Sequence, residues 1–179
     1  MARRGQVNRE ALLLAGYQAI ATLGWPAATT AEICRRAGVS SGTFFHYFPT
    51  KEDLLLALLT DSDAPASDGF AGLIEEVVQE SRDPLMPAFV VEVAALVRLP
   101  RVRSALQTQE DTRRARLREA VAVEHRAGRL RQDTDPDVLV RRAELLIAGF
   151  ETLAATPQAD VSALAGTLRE SLRDLIGWT

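Results

Sequence analysis

Three short hydroxyl side chains and a glycine lie together in one stretch of the chain, and a lysine follows them. Ser40, Ser41 and Thr43 surround Gly42, and Lys51 stands just after the stretch. Short hydroxyl groups approach phosphate oxygens and base edges closely, and glycine allows the backbone to come near DNA. Lys51 falls in the first turn of a predicted helix, where a cation opposes the helix dipole unless an anion binds there. The set indicates a surface for nucleic-acid phosphates.

Two short predicted helices joined by a tight turn must position these side chains. Thr29 and Glu32 have capping-box spacing at the start of one helix, Gly38 ends it, and Ser40 can cap the next. The pattern is typical of a helix-turn-helix, whose second helix is exposed to the major groove. It also occurs in packed helical proteins that bind no DNA. The apolar residues that would hold the two helices at a steep angle are Ile33, Ala37, Val39 and Phe44.

Other conspicuous side chains of this stretch have structural interpretations. We expect Phe44, Phe48 and part of Tyr47 to lie in the core. Cys34 is interpreted as a small buried packing residue rather than a redox sensor. Arg35 and Arg36 are expected on a solvated helix face rather than against bases.

The distribution of charge supports a nucleic-acid-binding end. The 179-residue chain carries a formal charge of −3, but residues 1–51 carry +4 and the remainder −7. A basic end on an acidic chain favours a DNA-binding head joined to a body with another task.

Composition and spacing exclude several other classes of protein. A single cysteine excludes an internal disulfide and a cysteine-rich zinc site, and His46 and His125 lack metal-ligand spacing. We find no nucleophile–base pair and no glycine-rich phosphate loop, so we predict no catalytic residue, no cofactor and no metal. No apolar run reaches the roughly 18 residues of a membrane helix. Glu10 and the helical apolar spacing near the N-terminus argue against a secretory signal. We therefore predict a cytoplasmic protein.

Hydrophobic spacing predicts an all-α fold of about nine helices. We expect residues 1–50 (helices 1–3) to form a helix-turn-helix DNA-binding domain. Residues 51–179 (helices 4–9) would form a ligand-binding and dimerisation domain, with helix 4 as connector and Asp61–Gly69 as a hinge or loop. The predicted helices span about 8–23, 29–37, 40–46, 50–60, 69–81, 83–99, 102–127, 136–155 and 160–176.

The ordered motifs resemble those of the tetracycline-repressor (TetR) family of bacterial transcription regulators. The resemblance covers roughly residues 8–58, through helix 1, TTAEI, RRAGVSSGTFFHYF and TKEDLL. A weaker resemblance is found in AGRLRQDTDPDVLVRRAELLIAGFE, at the start of helix 8. Together, the two resemblances imply a DNA-binding regulator with a helical ligand-binding half.

The resemblance also implies individual DNA contacts. Thr30 matches a phosphate contact, Ser41 and Gly42 match the base-reading part of helix 3, and Thr43 matches a phosphate- or base-contacting hydroxyl. Phe45 replaces a usual tyrosine, which loses a phosphate hydrogen bond but keeps contact with a thymine methyl possible. The positions matched to backbone contacts are His46, Tyr47 and Lys51, and Arg3 and Arg4 could form a flexible arm.

The C-terminal half has apolar stripes suited to dimerisation. Helix 8 has a stripe of Leu139, Ala143, Leu146, Phe150 and Leu153, and helix 9 has Val161, Leu164, Leu168, Leu172 and Leu175. Extra apolar residues, Leu145 and Gly149 on helix 8 and Ala165 on helix 9, favour a four-helix homodimer interface. An arginine run, 113, 114, 116 and 118, is expected to be a solvated ion-paired face; a second nucleic-acid surface is the alternative.

Helix 6 is apolar on all sides, which predicts that it is buried. Its Glu92 therefore needs a partner, either an arginine such as Arg98 or a ligand in a pocket. The candidate ligand-binding residues are Phe70, Met86, Phe89, Glu92, Leu106 and Phe150, with His125 more easily placed on the surface.

The leading hypothesis is a homodimeric repressor that binds a palindromic operator in double-stranded DNA and is released by an unknown small-molecule effector. The alternatives are a helical protein-interaction module with weak or vestigial DNA binding and, less favoured still, an enzyme on a helical bundle.

Overall fold

A computed structural model describes residues 2–60, 69–156 and 158–177, with side chains from Val7 onward except that of Leu175. Over these residues the regular secondary structure is entirely helical, which confirms the predicted fold class. The helices of the described residues are α1 (Ala2–Leu23), α2 (Thr30–Ala37), α3 (Ser41–Tyr47), α4 (Lys51–Thr60), α5 (Gly69–Glu80), α6 (Met86–Ala95), α7 (Pro100–Arg126), α8 (Pro136–Ala154) and α9 (Val161–Ile176).

Side-chain caps place the short helices as predicted. The backbone N–H of Glu32 donates to Thr29 at the start of α2, and that of Thr43 donates to Ser40 at the start of α3. Gly38 ends α2 with φ of 67°, a left-handed conformation that a side chain would strain. These local bonds satisfy amides that have no partner inside the helix.

The later helices follow equally local signals. Asp135 caps α8 by accepting from Asp137 N–H at 2.7 Å, and Asp160 caps α9 by accepting from Ala163 N–H at 3.0 Å. Pro136 occupies the first turn of α8, where its missing N–H costs nothing. Pro157, predicted to terminate helix 8, and residues 61–68 of the predicted loop lie outside the described residues.

Two predicted helix starts are wrong. α1 begins at Ala2 rather than Asn8, so Arg3 and Arg4 lie in its first turn and not in a flexible arm; their side chains are outside the described part. α6 begins at Met86 with Leu85 at its N-cap and no capping side chain. Pro87, rather than Pro84, occupies the first turn, so the Asp83-Pro84 pair does not open this helix.

The chain divides into two compact units, each with its own hydrophobic core. The first contains α1–α4, α6 and α7 up to Gln109; the second contains α5, the remainder of α7, α8 and α9. Leu12, Ile33, Phe44 and Leu54 are central to the first core. Phe70, Ile74, Leu139 and Leu172 are central to the second. This division differs from a boundary at residue 50, because α4 and α6 pack with the N-terminal helices.

The predicted full burial of helix 6 is wrong. Phe89, Val93 and Leu96 are buried on one side, whereas Val90, Val91 and Val97 are exposed. Steps of four and three place the buried residues on one helix face, and only that face is covered. No helix in the described ranges has the length and apolar character needed to cross a membrane.

Candidate nucleic-acid interface

α3 separates its core side from its exposed side cleanly. Phe44 is fully buried, while the neighbouring Phe45 is 53% exposed. Ser41, Gly42 and His46 are also exposed. Because one face of α3 is anchored in the core, the other presents small polar groups and an aromatic ring to solvent. The remaining predicted contacts, Thr30, Thr43, Tyr47 and Lys51, are partly buried, and Ser40 is exposed.

Ser40 and Thr43 act together at the start of α3. The Ser40 hydroxyl accepts from Thr43 N–H at 3.2 Å, and the two hydroxyl oxygens lie 3.0 Å apart. One of Ser40's acceptor positions is therefore committed to the helix end. Its first role is to fix the start of α3, which in turn orients Thr43.

The underside of the helix pair is tightly packed. Ile33 and Cys34 of α2 are buried, and the Cys34 thiol lies 3.9 Å from Ser40 O. Burial raises the pKa of the Cys34 thiol, which favours its neutral form. This is the environment of a packing residue.

Arg35 and Arg36 are paired on α2, as expected for a solvated face. Both guanidinium groups donate to Glu32, at distances of 2.7–2.8 Å. The hydrogen bonds from Arg35 and Arg36 lower the pKa of Glu32 to about 2. Arg36 also donates to the Thr22 hydroxyl, which links α2 to the end of α1.

Lys51 contacts a residue that sequence analysis missed. Its Nζ donates to the carbonyl oxygen of Trp25 at 2.5 Å and lies 4.0 Å from the centroid of the Trp25 ring. Burial lowers the pKa of Lys51. An ammonium group has three donors, so this bond leaves donors for a phosphate oxygen. The signal for Trp25 was slight: an aromatic residue between a helix-ending glycine and a proline.

The start of α4 is held by three further groups. The Thr50 hydroxyl accepts from Asp53 N–H at 3.1 Å and donates to the Asp53 carboxylate at 2.7 Å, so it caps the helix. Arg101 donates to the same carboxylate at 2.6 Å. These bonds lower the pKa of Asp53. They also fix the turn of helix that carries Lys51.

Among the described side chains, no arginine pairs with Glu92, contrary to the predicted ion pair. Its Oε2 accepts from the backbone N–H of Trp25 at 2.7 Å. The Glu92 side chain is only partly buried, so its carboxylate does not need a cationic partner. A hydrogen bond from a backbone amide is sufficient.

The other candidate ligand-binding residues fall into two sets. Met86, Phe89 and Leu106 belong to the core of the first unit. Phe70 and Phe150 belong to the core of the second. A ligand site built from these residues stays a prediction.

The second unit has an exposed apolar groove between α8 and α9. Leu145 is 75% exposed and Leu153 is 53% exposed. The groove has a volume of about 200 Å³. Ala165, predicted as a surplus surface residue, is instead fully buried, because α9 turns that face toward α8. The groove is lined by Leu145, Leu146, Gly149, Phe150, Leu153, Leu164, Thr167, Leu168 and Ser171.

The arginine run of α7 is ion-paired, as expected. Arg113 pairs with Glu151 at 2.6 Å and Arg116 pairs with Glu76 at 2.6 Å. Arg114 pairs with Glu144. Glu110 on the same helix pairs with Arg113 and Arg114, but most partners lie on α5 and α8, which only the fold brings near.

Sequence comparisons identify the helix-turn-helix region. A family model described as bacterial regulatory proteins, tetR family, matches residues 12–58. The HTH-type transcriptional regulator BetI of Escherichia coli O139:H28 is 36% identical over 84 residues, which cover 47% of this chain and 43% of that protein. The alignment thus spans less than half the length of the curated relatives.

Solved structures extend the likeness to nearly the whole chain. Salmonella enterica GusR superposes with a TM-score of 0.71 at 25% identity, over 95% of each chain. A transcriptional regulator from Saccharomonospora viridis, solved in complex with choline, gives a TM-score of 0.67 at 21% identity over 94% of this chain and 96% of that one. The latter shows a shared fold. Residues 12–58 therefore match the tetR family of bacterial regulatory proteins, and the chain shares its fold with these solved structures.

Proposed function

We propose that this protein is a cytoplasmic transcriptional repressor that binds a palindromic operator as a homodimer and is released by a small-molecule effector. The main support for this proposal is that α3 has one buried and one exposed face. Phe44 anchors the helix in the core, and the exposed residues are Ser41, Gly42, Phe45 and His46. A recognition helix needs this division, because the side chains that read base edges must be held by a rigid support.

Phosphate contacts would position that helix on the duplex. Thr30 lies at the amino end of α2 and Thr43 in the first turn of α3. Lys51 begins α4 with its ammonium held at a fixed place by Trp25. Hydroxyls, helix amides and a cation are the groups that bind phosphate oxygens, whereas base contacts supply sequence discrimination.

The groove between α8 and α9 supports the homodimer. Its exposed leucines, Leu145 and Leu153, would be covered by the same groove of a second copy, which gives a two-fold interface. Two recognition helices related by a two-fold axis read two half-sites of a palindrome.

Effector release requires a ligand that binds the DNA-free conformation better than the DNA-bound one. Choline is the first probe to use, because a protein with this fold was solved with choline bound. A compound that binds the protein but leaves operator affinity unchanged would contradict release by that compound.

Selection of bound sites from a random duplex library tests DNA recognition directly. We expect an enriched palindrome, with binding that falls steeply as salt rises, because phosphate contacts displace counterions. The absence of any enriched sequence from a folded dimer, with and without choline, would contradict the proposal and favour the protein-interaction alternative.

Two substitutions refine the test on the selected operator. Thr43→Ala and Lys51→Ala should each weaken binding, and Lys51→Ala should reduce the salt slope by about one unit. Thr112→Ala and Arg126→Ala are matched controls, since both residues are exposed on the second unit. Wild-type affinity in both test variants would remove these residues from the interface.

A further inference from the structure

The turn between α1 and α2 is held by two charged side chains from other helices. α1 ends at Leu23, and Gly24 follows with φ of 82°. The next residue, Trp25, has both backbone polar groups outside the helical hydrogen-bond ladder. Its N–H donates to the Glu92 carboxylate of α6 at 2.7 Å, and its carbonyl accepts from Lys51 of α4 at 2.5 Å. One peptide segment therefore joins three helices.

Gly24 supplies the left-handed backbone of this turn beside the Glu92 carboxylate. A Cβ at this position would lie 3.5 Å from both carboxylate oxygens of Glu92, and the positive φ disfavours any side chain. α6 also contacts α1 through an edge-on pair of rings, Tyr17 and Phe89, with centroids 4.9 Å apart. α6 therefore contacts the α1 region in two ways: through the hydrogen bond from Trp25 N–H to Glu92 and through the Tyr17–Phe89 ring contact.

The held turn leads directly into the helix-turn-helix. Ala28 N–H donates to Gly24 O at 3.0 Å, and Ala28 is fully buried. Thr29 then caps α2, whose buried Ile33 supports α3 from below. Because packed interiors transmit displacement rather than absorb it, a shift of the Trp25 peptide moves the start of α2.

We propose that Glu92 is a positioning residue for operator binding, which holds the Trp25 peptide against Lys51 and thereby fixes the approach of α2 and α3 to DNA. The inference rests on the proposed function. It also assigns Lys51 two tasks, one toward Trp25 and one toward phosphate. Glu92 itself touches no DNA in this role.

The sign of the effect makes the proposal testable. Loss of a negative charge from a DNA-binding protein should strengthen binding, since the duplex is a polyanion. We expect the opposite for Glu92→Ala: about a tenfold loss of affinity for the selected operator, from loss of a charge-assisted hydrogen bond. Glu92→Gln keeps an acceptor for Trp25 N–H and should recover most of the affinity. Glu119→Ala is the matched control, because Glu119 is an exposed glutamate of the second unit that pairs with Arg126.

Two further measurements separate positioning from phosphate contact and from folding. The salt slope of Glu92→Ala should equal that of the wild type, because no phosphate contact is lost. Circular dichroism at the assay temperature should show full helicity, and Glu92→Leu, which also lacks an acceptor for Trp25 N–H, replaces Glu92→Ala if that variant does not fold. Operator affinity of Glu92→Ala equal to or above that of Glu119→Ala would overturn the proposal.

Amide hydrogen exchange provides a test that does not depend on an operator. Glu92→Ala should speed exchange at Trp25 and along α2 and α3 relative to Glu119→Ala, and Glu92→Gln should restore protection. Faster exchange in Glu92→Ala, found when no operator is selected, would support the clamp formed by Glu92, Trp25 and Lys51 even though the proposed function fails. Unchanged exchange in α2 and α3 would reject the clamp whatever the DNA result.

Discussion

The two compact units use their charged side chains differently. In the first, two charged side chains hold backbone groups, since Glu92 and Lys51 both bind the Trp25 peptide, and side-chain pairs such as Arg36–Glu32 and Arg101–Asp53 occur beside them. In the second, they bridge side chains of neighbouring helices, as in Arg116–Glu76 and Arg169–Glu75. Partly exposed pairs of side chains contribute little each, whereas a bond to the backbone fixes where the chain turns. In the first unit, charged side chains therefore help to orient a short helix. In the second unit, they link the surfaces of long neighbouring helices.

Adjacent phenylalanines of α3 should give the largest effect within the first unit. Phe44→Ala removes a fully buried ring and should lower the free energy of unfolding by about 3–5 kcal/mol. Phe45→Ala, at an exposed position, should change it by less than about 0.5 kcal/mol but weaken operator binding. Urea denaturation and fluorescence anisotropy with labelled operator give both quantities. Equal stability losses would show that α3 has no distinct core and DNA sides.

The groove of the second unit provides the next effect. Leu145→Asp should disrupt the homodimer and lower operator affinity about 100-fold, because each half-site is then bound singly. Val123→Asp, at an exposed position of α7, is the control and should stay dimeric. Sedimentation velocity measures the oligomeric state. A dimeric Leu145→Asp variant would place the interface elsewhere.

Caps in the two units offer a matched comparison of smaller size. Ser40 caps α3 and Asp160 caps α9, each by accepting one backbone N–H. Replacement of either by alanine should lower the free energy of unfolding by about 1 kcal/mol. Only Ser40→Ala should also weaken operator binding, since only α3 is proposed to enter the major groove of DNA. A similar loss of affinity from Asp160→Ala would contradict this division of roles.

The smallest effect concerns acid stability, and each unit supplies one carboxylate. Hydrogen bonds from arginine lower the pKa of Glu32 and of Asp133 to about 2, from ordinary values of 4.5 and 3.8. A lowered pKa gives stability that is present above the ordinary value and is lost as pH falls toward 2. Glu32→Gln and Asp133→Asn should each flatten the decline of melting temperature across that window slightly, because Asp133 is exposed and Glu32 is only partly buried. An unchanged pH profile would show that these pairs are screened out.

Local signals fixed much of the fold in advance. Thr29, Gly38 and Ser40 predicted the bounds of the helix-turn-helix, because a cap or a left-handed glycine acts on its immediate neighbours. Asp135 and Asp160 act on their immediate neighbours in the same way at the starts of the last two helices. The buried and exposed sides of α3 also followed from residue type.

Signals without a local partner failed. Asp83-Pro84 looked like a helix start, but Pro87 offered a competing first turn and α6 begins there. The apolar pattern of α6 gave no indication of which side would be covered, since burial depends on the neighbours that folding supplies. Ala165 was misplaced for the same reason.

The sequence by itself determined the helical class, the helix-turn-helix and the resemblance of that region to the tetR family, because caps, apolar periods and an ordered motif are properties of adjacent residues. Tertiary structure alone decided the partners of Glu92 and Lys51. Glu92 stands 67 positions from Trp25, and Lys51 stands 26 positions from it. No local spacing encodes contacts of that range, because they form only when packing brings α1, α4 and α6 together.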